Sequence, residues 1–388
     1  MLTCTPVFSS FVDCRYYDAG ACRSCTLMGS PYAAQVAAKQ SAVAAALAPA
    51  APDARWLPAV TGPEQGFRNK AKLVAGGVPG HVTLGILGPG GAGVDLRGCG
   101  LHEAAIVAAL PHLADFVDTI GLIPYAVPTR HGELKHVVVT AAPSGELMIR
   151  FVLRSTHHEA LMRSRLPRLL AALPQARVVS LNIQPKPAAI IEGDREIVLT
   201  QEDSLRMTVG PAPLYLRPDG FFQTNSTVAA ALYSQAQAWI DAADPTTVWD
   251  LYCGVGGFAF AAVAPGRRVG GVEIAPGAIA SARRTSAELG LTPPALTFAI
   301  GDAAHAADTL PAPPDVVIVN PPRRGLDPDL LARLDDAPAT TLIYSSCNPA
   351  TLARDLAALT SWRVSQARLF DMFPQTDHHE VAVVAHRV

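Results

Sequence analysis

At 388 residues the chain is long enough for two or three domains with a sizeable buried core. Hydrophobic residues at 49% against 16% charged exclude an intrinsically disordered protein. The formal net charge of −2 excludes a uniformly basic nucleic-acid binder, so any such contact must come from local patches. Arg68/Lys70/Lys72, Arg163/Arg165/Arg168 and Arg323/Arg324 are the candidates, although each could equally be a solvated face. No apolar run reaches the eighteen or so residues of a membrane span, and the first residues lack the basic head and apolar run of a secretory signal. A cytoplasmic location is therefore expected.

Seven cysteines are an odd count, and four of them (Cys4, Cys14, Cys22, Cys25) fall in the first 25 residues. In a reducing compartment that crowding suggests a metal or cluster site rather than disulfides. Residues 31–50 read as a helix. Short strands interrupted by Gly and Pro are predicted over 60–87, then a helix near 102–120. Strands follow at 136–141, 147–153, 178–183 and 189–191, with a helix at 157–173 among them. The pattern predicts an N-terminal cysteine-rich segment over 1–59 and a small α+β domain over 60–205 with a mostly antiparallel sheet.

From 206 to 388 the rhythm changes. Strand-like runs at 247–252, 268–274, 296–300, 315–320 and 341–345 alternate with helical stretches at 226–243, 276–289, 327–335 and 349–359. That alternation predicts a parallel, doubly wound sheet. Two last runs, 362–370 and 380–388, have no helix between them and should form an antiparallel hairpin at the sheet edge.

Three motifs sit at strand ends. Asp250-Leu-Tyr-Cys-Gly-Val-Gly-Gly-Phe follows the first strand, where glycines permit a tight turn and close approach of a ligand. Glu273 ends the second strand nineteen residues after Gly254, a spacing that suits a carboxylate on ribose hydroxyls. With Gly301-Asp302 after the third strand, these features indicate a nucleoside cofactor. Geometry alone leaves a nicotinamide dinucleotide open, but its fingerprint wants G-x-G-x-x-G where this chain has G-V-G-G-F.

Asn320-Pro-Pro-Arg-Arg-Gly ends the fourth strand, and its two prolines stiffen the loop that presents Asn320. Tyr344-Ser-Ser-Cys-Asn-Pro ends the fifth, placing Cys347 at the ligand-facing rim. Thiolate is the strongest side-chain nucleophile near neutral pH. Glu380, in His378-His-Glu-Val, is the candidate base, with His378 and His379 as rivals.

These motifs, with Phe221-Phe-Gln-Thr-Asn, resemble the RNA uracil-C5 methyltransferase family over essentially the whole chain. The resemblance implies a Rossmann-like class I S-adenosylmethionine methyltransferase domain with a seven-stranded sheet. It implies that Gln223, Tyr252, Gly254, Glu273 and Asn320 bind S-adenosylmethionine, with Asp302 at the adenine end. Cys347 would be the nucleophile and Glu380 the proton acceptor. Tyr252 stands where the family pattern has Phe, which keeps the ring.

Within the family, Cys14-Arg-Tyr-Tyr-Asp-Ala-Gly-Ala-Cys-Arg-Ser-Cys, Gly62-Pro-Glu-Gln-Gly-Phe-Arg-Asn-Lys-Ala-Lys, Asn182-Ile-Gln-Pro and Leu369-Phe-Asp-Met-Phe-Pro resemble the branch acting on one uracil of 23S ribosomal RNA. Members of that branch lack an N-terminal RNA-binding barrel, and none is expected here. Their four-cysteine [4Fe–4S] site implies Cys14, Cys22, Cys25 and Cys99 as ligands. The C-x7-C-x2-C spacing alone would serve zinc equally well. Gly100 replaces an expected proline beside Cys99; Cys4 is expected to be free and Cys253 to be a packing residue.

The expected partner is 23S ribosomal RNA, with transfer RNA as the rival, and the expected state is a monomer with no obligate protein partner. A target uracil must lie in a loop or be flipped out, with Phe221, Phe222 or Tyr252 available to stack. An N-methyltransferase would carry an aromatic where Arg323 stands and would leave Cys347 unused. A non-catalytic RNA-binding iron–sulfur protein would need neither Cys347 nor Glu380.

Overall fold

The computed structural model describes residues 12–187, 190–310 and 312–388, so Cys4 lies outside the described residues. In chain order it begins with α1 (Arg15–Asp18), α2 (Tyr32–Leu47), β1 (Arg55–Trp56), β2 (Lys70–Val78), β3 (His81–Leu87) and β4 (Gly93–Asp95). Then come α3 (Ala104–Thr119), β5 (Leu134–Ala141), β6 (Leu147–Leu153), α4 (Glu159–Ala172), β7 (Ala176–Ile183), β8 (Arg195–Val198) and a small hairpin of β9 (Leu205–Thr208) and β10 (Pro213–Leu216). The last part holds α5 (Ser226–Ala243), β11 (Thr247–Leu251), α6 (Gly257–Ala261), β12 (Arg268–Glu273), α7 (Pro276–Glu288), β13 (Leu296–Ile300), α8 (Ala306–Thr309) and β14 (Val316–Val319). It closes with α9 (Pro328–Asp336), β15 (Thr341–Ser346), α10 (Pro349–Ala358), β16 (Trp362–Phe370) and β17 (Glu380–Arg387).

The first of two large sheets has the order β4-β3-β2-β5-β6-β7-β8. Its pairings are antiparallel except β6 with β7, which α4 connects as a crossover. Helices α3 and α4 cover one face, packing Ile106, Leu110, Leu113 and Leu169 on Val137, Ile149 and Phe151. The expected strand at 189–191 is absent at Ile190 and Ile191, Ala189 lying outside the described residues; the polar run Arg195–Val198 forms the edge strand instead.

The second sheet has eight strands, β1-β16-β17-β15-β14-β11-β12-β13, where seven were expected. The extra strand is the two-residue β1, which runs parallel to β16 and covers the edge that the final hairpin would otherwise present. Strands β11 to β15 are parallel and lie buried between two helical layers, so they read as continuous apolar runs. Alternate residues divide the two cores. Val316 and Ile318 pack towards α5 and α7 with Leu232 and Ile279, while Val317 and Val319 pack towards α2, α9 and α10 with Leu47, Leu330 and Leu352. Side-chain caps start α5 at Asn225 and α10 at Asn348, each oxygen accepting a backbone N–H of its first turn. Among the described residues, no helix is long and apolar enough to cross a membrane.

Candidate active site

The carboxyl ends of β11, β12, β14 and β15 share one rim, and the expected site residues sit along it. After β11 the chain turns sharply: Tyr252 takes φ 65°, Gly254 φ 53° and Gly256 φ 95°. A side-chain residue in that left-handed region is uncommon and marks a conformation held by its surroundings. Cys253 N donates to Val272 O at 3.1 Å, and Gly254 N donates to Glu273 Oε2 at 3.2 Å. The glycine turn and the second-strand carboxylate are therefore joined directly. The other Glu273 oxygen, Oε1, accepts from Ala275 N at 2.9 Å.

A Cβ on Gly254 would meet nothing within 4 Å, so this backbone faces open space. A Cβ on Gly257 would lie 2.5 Å from the Tyr233 ring, and that glycine is required by packing. Asp250, fully buried, receives Ala259 N on Oδ2 at 2.8 Å, while its Oδ1 has no partner. Burial, then the charge of Glu273, pushes the Asp250 carboxyl up to about 8, although the Ala259 N–H pulls it down. Cys253 is 6% exposed and packs in the core, as its position suggested.

Leu251 pairs with Val319, which puts Asn320 beside Tyr252 at the rim. Asp302 is exposed and caps the next turn, its Oδ1 accepting from Ala304 N at 2.9 Å. Gln223 is 8% exposed, and its carbonyl accepts from Asn69 Nδ2 at 3.0 Å. Asn69 Nδ2 also lies 2.8 Å from Ser226 Oγ, so the segment leading into β2 fixes the Gln223 loop. Phe222 is buried in the core, whereas Phe221 is 76% exposed.

Cys347 and Glu380 come together through strand register. Ser346 pairs with Val381 across the antiparallel β15–β17 ladder, so the next residues on either side, Cys347 and Glu380, stand opposite each other. Cys347 is half-buried and Glu380 is 3% exposed. Burial pushes the Cys347 thiol up, the Glu380 charge adds to that, and Arg323 pulls it back by a hydrogen bond and its charge. Burial raises the Glu380 carboxyl to about 7. Its Oε1 accepts from Ser345 Oγ at 2.6 Å.

Arg323 carries more than a surface charge. Its Nη2 lies 3.1 Å from His378 Nδ1, and its carbonyl accepts from Asn348 Nδ2 at 3.0 Å. That second bond ties the Asn-Pro-Pro-Arg-Arg-Gly loop to the Ser-Ser-Cys-Asn turn. Arg323, Cys347, Asn348, His378 and His379 line one open cavity of ≈ 310 Å³. Sequence reasoning placed Arg323 in a basic patch and used it against an N-methyltransferase, but gave it no part beside Cys347; its position directly after the rim prolines was the available signal.

The basic patches divide. Arg163, Arg165 and Arg168 are exposed on α4, and Arg323 and Arg324 are exposed at the rim. Lys72 is exposed and pairs with Glu192 at 3.1 Å. Lys70 is buried at 9% exposure, because β2 is an inner strand between β3 and β5. Burial lowers the Lys70 ammonium to about 8. Lys70 is thus not a free surface cation.

Cys14, Cys22, Cys25 and Cys99 are free thiols lining one cavity of ≈ 530 Å³, together with Arg68, Met28 and His102. Gly98 lies close to α1: a Cβ there would stand 2.6 Å from Arg15 Nη2 and 3.1 Å from the Tyr16 hydroxyl. Gly98 N donates to that Tyr16 hydroxyl at 3.0 Å. Gly100 has ordinary room for a side chain, the nearest atom being Gln65 Oε1 at 3.6 Å. Burial, reinforced by the other three cysteines, raises the Cys25 thiol to about 12. Among the described residues, no three His, Cys, Asp or Glu side chains close to the spacing that would hold a single metal ion.

The cysteine segment touches the loop leading to Glu380. Leu27 N donates to Gln375 O at 3.0 Å, and the Thr26 hydroxyl donates to Asp377 Oδ2 at 3.2 Å. No local sequence signal foretold this, since Thr26 and Asp377 are 351 residues apart.

An open glycine turn beside a second-strand acid, on a doubly wound sheet closed by an antiparallel hairpin, matches the arrangement of class I methyltransferases. A family model described as tRNA (Uracil-5-)-methyltransferase matches residues 313–388. A 23S rRNA (uracil(747)-C(5))-methyltransferase RlmC from Edwardsiella ictaluri is 44% identical over 95% of this chain and 98% of its own. The RlmC of Shewanella loihica is 43% identical over 97% of this chain and 100% of its own. Among solved structures, the tRNA (uracil-54, C5)-methyltransferase of Pyrococcus abyssi, in complex with S-adenosyl-L-homocysteine, superposes with a TM-score of 0.77 at 24% identity. That match covers 93% of this chain and 85% of the other. The chain belongs to the RNA uracil-C5 methyltransferase family.

Proposed function

We propose that this chain transfers a methyl group from S-adenosylmethionine to carbon 5 of one uridine in 23S ribosomal RNA, the uridine equivalent to uracil 747 of its relatives. The observation that carries the reading is the pairing of Cys347 with a buried Glu380 across the β15–β17 register.

Uracil carbon 5 is too weak a nucleophile to take a methyl group unaided. In the proposed mechanism the Cys347 thiolate, favoured by Arg323, adds to carbon 6 and makes carbon 5 nucleophilic. S-adenosylmethionine supplies the electrophilic methyl group. Glu380 then removes the proton from carbon 5, and elimination returns the thiolate and the methylated base. The burial that raises Glu380 to about 7 suits it to accept a proton near neutral pH.

The open backbone at Gly254 and the unpartnered Asp250 Oδ1 fit a bound nucleoside cofactor at the first turn. We assign Gln223, Tyr252, Gly254, Glu273 and Asn320 to holding S-adenosylmethionine. Asp302 is assigned a lesser part at the adenine end, since one of its oxygens is committed to a cap. Phe221, exposed beside the Gln223 loop, is available to stack on an unpaired base.

Cys14, Cys22, Cys25 and Cys99 are assigned as ligands of a [4Fe–4S] cluster. Four free thiols lining one cavity supply the ligand set that such a cluster takes. Its chemistry there is structural, joining α1, the Cys22–Cys25 loop and the Cys99 loop. The proposed division is the cysteine-rich segment 1–59, the central RNA-binding domain 60–205 and the methyltransferase domain 206–388, acting as a cytoplasmic monomer.

Anaerobically purified protein, labelled S-adenosylmethionine and total RNA from a strain lacking the gene test the substrate. Label at carbon 5 of one 23S uridine is the expected result. Label confined to transfer RNA would overturn the ribosomal assignment while keeping the reaction.

A further inference from the structure

Ser345 lies on β15 between Tyr344 and Ser346, opposite Ala382 of β17; the Tyr344 hydroxyl donates to Asp355 and the Ser346 hydroxyl to Asn348 O, so of the three only Ser345 turns to Glu380. It is 0% exposed, and its Oγ lies 2.6 Å from Oε1 of a carboxylate that is itself 3% exposed. A buried carboxylate without a donor carries a heavy desolvation penalty, so this single short contact has a large effect on where Glu380 sits and how it titrates.

The surroundings offer Glu380 little else. Burial dominates its environment, with Ser345 as the opposing influence. Across the β15 turn stands Cys347, whose thiol feels the Glu380 charge, with Arg323 on its far side. From α5 stands the Tyr233 ring, whose hydroxyl is raised by burial, then by the charge of Asp250, with Glu380 adding to both. Preceding Glu380, His379 turns its Nδ1 to Asp377 O at 2.9 Å, and His378 turns to Arg323. On β16 the residue paired with Glu380 is the apolar Phe370. Lys39 is committed to Asp371. Among the described residues, no cation forms an ion pair with Glu380.

We propose that Ser345 is a positioning residue for proton removal: its hydroxyl pins Glu380 Oε1 and leaves Oε2 as the oxygen that receives the proton from carbon 5. The inference rests on the assignment of Cys347 and Glu380 above. In the step concerned, the carbon 5–hydrogen bond breaks and its proton passes to Oε2. The electron pair forms the carbon 5–carbon 6 double bond, the carbon 6–sulfur bond breaks, and its pair returns to Cys347 as thiolate. Ser345 keeps its own proton throughout. Without the hydroxyl, the carboxyl holds its proton to higher pH and both oxygens are free to turn.

The test follows release of methylated RNA from the denaturation-stable Cys347–RNA adduct in single turnovers of the full-length protein, as a function of pH. Ser345→Ala and the Thr-shaped Ser345→Val are expected to slow release about tenfold at neutral pH and move its acidic limb up by about one pH unit. Ser345→Thr, which keeps the hydroxyl in the same volume as valine, should release at the wild-type rate with the wild-type limb. Equal slowing by Thr and Val would make the effect steric and overturn the inference. So would a wild-type limb in Ser345→Ala while Glu380→Gln holds the adduct. If Glu380→Gln itself releases RNA at the wild-type rate, the base assignment falls and the Ser345 role falls with it.

Discussion

Lys39 of α2 sets its ammonium 2.6 Å from the Asp371 carboxylate, with the two side chains 3% and 0% exposed. The same ammonium also donates to the carbonyls of Phe373 at 3.1 Å and His378 at 3.2 Å. One buried cation from the N-terminal helix therefore fastens both ends of the loop that delivers His378, His379 and Glu380 to the rim. Removing it leaves Asp371 charged, buried and alone. Lys39→Met should destabilise the protein by about 3–5 kcal/mol. The double variant Lys39→Met/Asp371→Leu should recover much of that loss in chemical denaturation. A single-variant loss below 1 kcal/mol would show that the pair does not hold the loop.

Glu380 gives stability a pH dependence whose sign is fixed by its surroundings. Its carboxyl is raised in the folded state to about 7 from an ordinary 4.5. The stability this represents is complete below the ordinary value and is lost as pH rises through the folded one. Between those limits the loss amounts to about 3 kcal/mol. Glu380→Gln, which cannot ionise, should therefore melt higher than wild type at pH above 8 and close to it in mild acid. Equal melting temperatures at both pH values would contradict this.

The four thiols of the N-terminal cavity predict a shared dependence. Cys22→Ser and Cys99→Ser, changed separately, should each abolish iron binding in anaerobically prepared protein and lower its melting temperature. Because Thr26 and Leu27 bond to Asp377 and Gln375, amide exchange in the 371–379 loop should also quicken. Full iron content in either variant would remove that cysteine from the ligand set. Zinc at one ion per chain in wild-type protein would overturn the cluster.

The parallel half of the fold was legible because buried parallel strands announce themselves as apolar runs such as Val316–Val319, each ending in a polar rim motif. The Cys347–Glu380 meeting follows from the hairpin at the chain's end, which the lack of a helix between the last two runs foretold. Two kinds of feature were not legible. Strand β1 has only two residues, too few for any periodicity, and it forms because β16 offers an open edge. The bonds from Lys39, Gln35 and Thr26 to the 371–379 loop join residues more than 300 positions apart, and no local pattern encodes them. Lys70 misled for a related reason: its charge reads as surface, but its strand lies inside the central sheet.

The central claim is that Cys347 carries the substrate covalently during methyl transfer. The most direct measurement is labelled-methyl incorporation into unmodified ribosomal RNA by wild-type protein and by Cys347→Ala, whose fold and iron content are first shown to match. The account predicts incorporation at one uridine by the wild type, with an adduct that survives denaturation, and neither product nor adduct with Cys347→Ala. Wild-type incorporation by Cys347→Ala would contradict it.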